Sequence, residues 1–156
     1  MNCKICIKDT TEIMSFGKQP LANNFINKKD FSKEFFYEMK IAYCKFCHTV
    51  QLSNIPDKKK FFNQDYAFAS QTSIEMINHF KVFSKKIKKL LKKKTSSLVV
   101  EIGSNDGIFL KNFTNNSKYS LLGVEPATKV SKVAKNKGIN TINNFFNYKL
   151  SKNIKK

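Results

Sequence analysis

The 156-residue chain contains no tryptophan and no arginine, and it has only five glycines and three prolines. Its 29 basic residues are therefore all lysines, and with 11 acidic residues they give a formal net charge of +18. Arginine, with its planar fork, is the usual residue for gripping phosphates and reading guanine edges. An excess made of lysine alone favours compositional bias of the coding sequence over selection for nucleic-acid binding.

Long apolar runs are also missing from the sequence. No segment reaches the roughly 18 consecutive apolar residues that a membrane-spanning helix needs, and the first residues lack the apolar core of a signal peptide. With 41% hydrophobic residues and 15 phenylalanines, the chain has enough apolar material to fold. We therefore expect a cytoplasmic protein without membrane contact, in which cysteines are reduced or bound to metal.

The patterning predicts three segments. Residues 1–55 hold all four cysteines, and residues 35–43 alternate as a half-buried strand does. Residues 56–95 form a helical connector with one apolar face and one lysine-rich face. Residues 96–156 alternate strand, helix, strand, helix and strand, which is typical of a parallel α/β sheet. The apolar face of the connector comprises Phe80, Phe83, Ile87, Leu90 and Leu91.

The third segment is predicted to start with residues 98–102, an apolar run consistent with a strand buried on both faces. A turn at 103–107 follows it. The later elements are a helix beginning at 108–113, a strand at 119–125, a helix at 128–137 and a third strand within 139–146.

The four cysteines form two C-x-x-C knuckles, Cys3 with Cys6 and Cys44 with Cys47. Each knuckle puts two thiolates on one tight turn, and two knuckles supply the Cys₄ set of a structural zinc site. Such a site has no open position, so the zinc would organise structure and not catalyse. Alternatives are free core thiols, disulfides, haem attachment at the C-x-x-C-H string, and His48 as a replacement ligand.

A second constellation surrounds the predicted turn. Gly103 and Gly107 allow the backbone to come close to a ligand at the carboxyl end of the strand. Glu101 lies near that strand tip, and Glu125 ends the next strand, where a carboxylate can accept both ribose hydroxyls of an adenosine. Asn105 stands where the dinucleotide-binding motif G-x-G-x-x-G has the glycine that approaches the pyrophosphate. S-adenosylmethionine has no pyrophosphate, so this replacement favours S-adenosylmethionine over a dinucleotide. A plain strand–turn–helix is the alternative.

Several short motifs follow one another along nearly the whole chain. They are Cys3-x-x-Cys6, Gln19-Pro-Leu-Ala-Asn23, Cys44-x-x-Cys47, Val50-Gln-Leu52, Asp65-Tyr-Ala-Phe-Ala-Ser70 with Ser73, His79-Phe80, Val99-Val-Glu-Ile-Gly-Ser-Asn-Asp-Gly107, Gly123-Val-Glu-Pro-Ala127, and Gly138-Ile139 with Phe145-Phe146. In this order they resemble the sugar C-methyltransferase family, which methylates carbon 3 of nucleotide-linked 4-keto-deoxysugars. The resemblance implies a zinc-binding N-terminal domain, a central methyltransferase domain and a C-terminal domain.

The resemblance also implies roles for particular residues. Tyr66 is the candidate aromatic contact at the sugar or methyl end, and His79 is a second catalytic candidate whose alignment with Phe80 and Phe83 favours a structural role. The implied chemistry is proton abstraction beside a ketone, which gives an enolate whose carbon attacks the sulfonium methyl. The implied S-adenosylmethionine site is lined by Glu101, Gly103, Asn105, Asp106, Gly107 and Glu125.

The chain supplies only part of the sheet that such a family uses. We therefore expect an α/β protein in which a small zinc-binding N-terminal module precedes an incomplete Rossmann-like S-adenosylmethionine-methyltransferase domain. We expect this chain to be inactive alone. The expected partners are a nucleotide-linked sugar as substrate and the missing C-terminal half as a separate chain. The alternative function is a zinc-containing basic module that binds nucleic acid through its lysine-rich helix.

Overall fold

The computed structural model describes residues 1–91, 97–115 and 118–155. They form a mixed α/β fold with two compact units, Met1–Phe61 and Phe62–Lys156. Within the described ranges, no helix is both long enough and apolar enough to cross a membrane.

The first unit is built on a three-stranded antiparallel sheet in the order β1-β2-β3. Its elements are β1 (Thr11–Pro20), a 3-10 helix (Lys28–Lys33), β2 (Phe36–Tyr43), β3 (Val50–Leu52) and the single turn α1 (Lys58–Phe61). The strand predicted at 35–43 is therefore confirmed as β2. Thr11 pairs with Tyr43, so the start of β1 lies beside the end of β2. This register brings the two cysteine knuckles to the same end of the sheet.

The second unit contains a parallel sheet in the order β4-β5-β6. Its strands are β4 (Ser97–Ile102), β5 (Tyr119–Val124) and β6 (Thr141–Ile142), and its helices are α2 (Ile74–Leu91), α3 (Thr128–Asn136) and α4 (Tyr148–Lys155). Two 3-10 helices, Ser70–Thr72 and Leu110–Phe113, complete it.

An aromatic-rich core joins α2 to this sheet. Its buried centre contains Phe109, Leu110, Phe113, Ala134 and Ile139. Phe80, Ile87 and Leu91 of α2 pack against that centre. Val99, Tyr119 and Leu121 of the sheet also pack against it. The predicted one-sided packing of the amphipathic helix is thus confirmed.

Some details of the prediction were wrong, each for a packing reason. β4 is buried on one face only, because Val99 contacts the core while Leu98 and Ile102 on the other face are 53% and 60% exposed. Leu90, predicted on the packed face of α2, is 79% exposed. It lies about 80° around the helix from the line of Phe80, Ile87 and Leu91.

Two predicted elements are shorter in the structure than in the sequence pattern. The helix expected from residue 108 is the 3-10 turn Leu110–Phe113. The third strand covers Thr141–Ile142 only. Ile139 is buried in the core, and the amide of Asn144 already turns back to the Ile142 carbonyl at 3.1 Å, which leaves two residues for pairing.

Candidate functional site

The four cysteine sulfurs converge in the first unit, where all four Sγ atoms lie within 4.8 Å of one another. Cys3 Sγ is 3.6 Å from Cys47 Sγ, and Cys6 Sγ is 3.5 Å from Cys44 Sγ. A zinc ion bound tetrahedrally at about 2.3 Å from each sulfur would hold sulfurs about 3.8 Å apart. The donor set and its spacing therefore fit zinc. The disulfide alternative is wrong, since the cysteines are free and a disulfide needs about 2.05 Å.

Backbone hydrogen bonds shape each knuckle in the same way. The Cys3 amide donates to the Lys8 carbonyl at 2.7 Å, and the Cys44 amide donates to the Thr49 carbonyl at 3.0 Å. In both knuckles the residue after the second cysteine is left-handed, with φ of +64° at Ile7. A β-branched residue is strained in that region, so closing this knuckle has a conformational cost.

The thiols of the cluster have divergent acidities. Backbone N–H groups of Cys6 and Ile5 donate to the Cys3 sulfur and lower its pKa to about 6. The hydroxyl and the amide of Thr49 lower the pKa of Cys47. The Lys8 amide acts in the same direction on Cys6, but burial and the neighbouring sulfurs outweigh it and raise that pKa to about 12. A metal that binds thiolates must therefore displace protons here.

His48 stands outside the sulfur cluster. It is the left-handed residue of the second knuckle, with φ of +57°. Its Nδ1 lies 2.5 Å from the Tyr43 hydroxyl oxygen. The hydrogen bond with Tyr43 therefore occupies Nδ1 of the His48 ring. The metal-binding group consists of the four cysteines alone among the described residues, which argues against His48 as a replacement ligand.

In the second unit, the chain turns sharply where β4 ends. Gly103, Asn105 and Gly107 all have positive φ, at +73°, +48° and +78°. The amides of Gly103 and Ser104 donate to the Val124 carbonyl at 2.8 and 3.3 Å. The turn is thereby fixed to the carboxyl end of β5, the edge where ligands bind in parallel sheets.

Two glycines permit close approach in this region. A Cβ on Gly107 would lie 3.1 Å from the Ile139 side chain, in addition to the strain of its positive φ. A Cβ on Gly123 would lie 2.5 Å from Ser104 Oγ, which is a clash. Sequence reasoning gave Gly123 no role; the available signal was a glycine inside an apolar strand, which marks close backbone approach.

The Glu125 carboxylate is buried, with 4% of the residue exposed, and ties the turn to α3. Its Oε2 accepts from the Asn105 amide at 2.8 Å, and its Oε1 accepts from the Ala127 amide at 2.7 Å. Each carboxylate oxygen can accept a further hydrogen bond. The geometry thus positions Glu125 and leaves it acceptor capacity.

Three acidic side chains converge at this turn. Burial, with the charges of Asp106 and Glu125 as further causes, raises the pKa of Glu101 to about 8. Within the described part of the chain, Glu101 Oε2, Asp106 Oδ1 and Ser104 Oγ are buried and have no hydrogen-bond partner. Buried polar atoms without partners are costly, so a hydrogen-bonding partner at these atoms would be stabilising.

The side chains of Asn105 and Asp106 hold residues 68–71, which we call the clasp segment. Asn105 Oδ1 accepts from the Ser70 amide at 2.9 Å, and its Nδ2 donates to the Phe68 carbonyl at 3.1 Å. Asp106 Oδ2 accepts from the Gln71 amide at 3.0 Å. Sequence reasoning missed this contact, because the bonds reach main-chain atoms and leave no residue-type signal at positions 70 and 71.

The two predicted catalytic residues lie in different surroundings. Tyr66 packs on the Phe62 ring, with centroids 5.4 Å apart, and burial together with the Glu125 charge raises its pKa. It therefore lies near the turn. His79 is exposed, and its ring contacts Phe80 and Phe83 on its own helix. Both catalytic assignments stay predictions.

Comparisons with known proteins relate the chain to a zinc-binding family and to a methyltransferase. Residues 3–62 match a family described as "Putative zinc binding domain". Over 142 residues, which cover 90% of this chain, the sequence is 27% identical to the C-methyltransferase NovU of Streptomyces niveus. The aligned part is 33% of that protein, so the chain spans about a third of its relative's length. The matches confirm that the chain resembles the N-terminal portion of a sugar C-methyltransferase.

Proposed function

We propose that the chain is part of an S-adenosylmethionine-dependent C-methyltransferase. In this proposal the first unit is organised by a structural zinc ion, and the second unit is a Rossmann-like half-domain that holds the cofactor. One observation carries it. Glu101, Asp106 and Glu125 converge at the carboxyl end of a parallel sheet, although the chain as a whole has a net charge of +18.

The chemistry of the turn supports this ligand. S-adenosylmethionine bears an ammonium and a sulfonium cation, and an ionised carboxylate favours a neighbouring cation. Glu101, whose Oε2 has no partner among the described residues, would meet the ammonium group, and that cation would lower the raised pKa of Glu101 so that the carboxyl group ionises on binding. Glu125 would use its remaining acceptor capacity for the ribose hydroxyls. The bound cofactor would supply a methyl group on positively charged sulfur, which is open to attack by carbon.

Tyr66 fits a hydrogen-bond donor better than a base. Its raised pKa keeps the hydroxyl protonated around neutral pH, and a donor of that kind stabilises the oxyanion that develops when a proton leaves the carbon beside a ketone. The family resemblance suggests a nucleotide-linked 4-keto-deoxysugar as the acceptor. His79 is the weaker catalytic candidate, because its ring stacks on its own helix.

Turnover is expected to need polypeptide beyond these residues. The relative is about three times as long as the part that aligns. The Glu125 carboxylate, whose charge acts on Tyr66, is assigned here to the cofactor, so the base would come from elsewhere in the enzyme. We therefore propose that the chain binds the cofactor but methylates sugar only together with the remaining part of the enzyme. Turnover of a nucleotide-linked 4-keto sugar by the 156-residue chain alone would contradict this.

Calorimetric titration of the zinc-loaded chain tests the cofactor site. Glu125→Gln should weaken S-adenosylmethionine binding by about tenfold or more, since hydrogen bonds from a charged group are lost. Glu101→Gln should weaken S-adenosylmethionine but leave 5′-methylthioadenosine, which lacks the ammonium group, almost unchanged. Glu75→Gln, at the exposed first turn of α2, is the control with the same change in charge.

Two outcomes would refute the proposal. One is no binding of S-adenosylmethionine by a chain shown to be folded. The other is equal weakening by Glu75→Gln and Glu125→Gln, because that would trace the effect to net charge and not to the turn.

A further inference from the structure

A separate cavity of about 340 Å³ lies in the second unit, beside α2 and the 3-10 helix Leu110–Phe113. This volume falls at the lower end of small-molecule sites, which measure about 300–1,000 Å³. The polar part of its lining consists of Gln71, Lys81, Lys111, Asn112 and Asn115, and two isoleucines supply the apolar part. No carboxylate is among the lining residues within the described ranges.

The positive charge of this cavity is not neutralised by ion pairs. In the part of the chain that the structure describes, both salt bridges involve Lys40 of the first unit. A third ammonium group stands close by. Lys137 donates to Gln71 Oε1, and its pKa is lowered by burial, with the charge of Lys111 adding to the effect and that of Asp106 opposing it. Asp106 accepts from the Gln71 amide through Oδ2 at 3.0 Å, and its negative charge offsets part of the charge of Lys137.

Two amide side chains of the cavity, those of Asn112 and Gln71, are held in place. Asn112 Nδ2 donates to the carbonyls of Ile108 and Phe109 at 3.0 and 3.2 Å, which fixes that side chain against its own helix. Gln71 accepts from Lys137 through its oxygen, so its nitrogen is left as a donor. The cavity therefore combines two lysines and preset amide groups with an apolar wall.

We propose that this cavity binds a phosphate-bearing small molecule. Lys81 on α2 and Lys111 on the 3-10 helix contact the phosphate oxygens, and Ile77 and Ile108 cover the apolar part of the ligand. A concave site lined by charge of one sign concentrates the opposite charge. The proposal does not depend on cofactor binding at the turn.

The concavity favours a small ligand over a nucleic-acid strand. A strand would be gripped by the exposed lysines along α2 as a whole, with every ammonium group contributing about equally. A ligand within the cavity depends on Lys81 and Lys111 in particular. Variants matched in charge separate these two cases.

The test is titration of the full chain with inorganic pyrophosphate and, separately, with ADP, by calorimetry at physiological salt. We expect saturable one-to-one binding. The double variant Lys81→Gln/Lys111→Gln should lose about tenfold in affinity, whereas Lys85→Gln/Lys86→Gln, on exposed positions of the same helix, should stay within about twofold. Tighter binding of ADP than of pyrophosphate would identify a nucleotide, and the reverse a simple phosphate compound.

A second variant tests the cavity without altering charge. Ile77→Trp places a bulky ring at the lining and should abolish binding while the circular dichroism spectrum stays unchanged. Failure of both pyrophosphate and ADP to saturate the wild-type chain would overturn the proposal. So would equal losses in the two double variants, together with tight, steeply salt-dependent binding of a polynucleotide, because that pattern indicates a nucleic-acid surface.

Discussion

Replacing Glu101 by glutamine is expected to stabilise the second unit at alkaline pH. The carboxyl group of Glu101 is largely enclosed at the tip of β4, and burial followed by the charges of Asp106 and Glu125 raises its pKa from 4.5 to about 8. Glutamine has nearly the same shape and cannot ionise. The substitution therefore removes a buried charge and leaves the packing in place.

The sign follows from proton linkage. Between the unfolded pKa of 4.5 and the folded value of about 8, the folded state holds a proton that the unfolded state has released. The free energy of unfolding of the wild type therefore falls as pH rises through this window and levels off above it. Glu101→Gln lacks this contribution, so its advantage should grow with pH. The full displacement corresponds to about 5 kcal/mol, and partial solvation at the strand tip brings the expected gain to about 2–3 kcal/mol.

Urea unfolding of the zinc-saturated chain, followed by far-ultraviolet circular dichroism at about pH 5.5 and about pH 9, measures this difference. The signal reports mainly the second unit, because α2, α3 and α4 all lie there. The control is Glu75→Gln, since the Ser73 hydroxyl lowers the pKa of Glu75 below its ordinary value of 4.5. Glu75 is therefore ionised in the folded and unfolded states at both pH values, and this variant should differ from the wild type by the same amount at each. An advantage of Glu101→Gln that is equal at both pH values would refute the argument.

Three further predictions concern the zinc site and the packing of the turn. Chelation of zinc should unfold the first unit. Protein purified under reducing conditions should contain zinc in proportion to the amount of polypeptide, and metal analysis that finds none would contradict this. Ile7→Gly should stabilise the first unit by about 1 kcal/mol, because glycine adopts the left-handed φ without strain. Ile5→Gly, at a position without positive φ, should not stabilise it. Equal melting temperatures for the two variants would count against strain at Ile7. Gly123→Ala should destabilise the second unit by about 1–3 kcal/mol because its Cβ meets Ser104. Adding Ser104→Gly removes the shortest contact and leaves only that with Thr141 Oγ1 at 3.1 Å, so a double variant as unstable as Gly123→Ala would show that Ser104 is not the cause.

The cysteine cluster illustrates what local sequence could predict. Each C-x-x-C string specifies its own turn, and the alternation at 35–43 indicated the strand that carries one knuckle. The need for four ligands in one site made the convergence of the knuckles predictable. The pairing of Thr11 with Tyr43, which brings the knuckles together, is a long-range register that no local pattern specifies. The strain at Ile7 was not predictable, because a β-branched residue gives no sequence signal for left-handed backbone.

The turn after β4 was predicted for the same kind of reason. Apolar residues followed by two glycines mark a strand and a tight turn locally. The coverage of β4 on one face only could not be predicted from its own residues, because Leu98 and Val99 are equally apolar and only the placement of α2 and the aromatic core distinguishes them. The convergence of Glu101 and Glu125 followed from the shared edge of parallel strands, whereas the contact of Asp106 with Gln71 depends on a segment more than thirty residues away.

The clasp segment has a consequence for how the chain tolerates substitution. Asn105 and Asp106 bind the amides of Ser70 and Gln71, so the bonds themselves exclude only proline, which has no N–H. Positions 70 and 71 can therefore drift within the limits of their packing while the attachment to the turn persists. In related chains, positions 105 and 106 should therefore vary less than positions 70 and 71. A comparison that scores each position alone would mark residues 105 and 106 as important and overlook the segment that they bind.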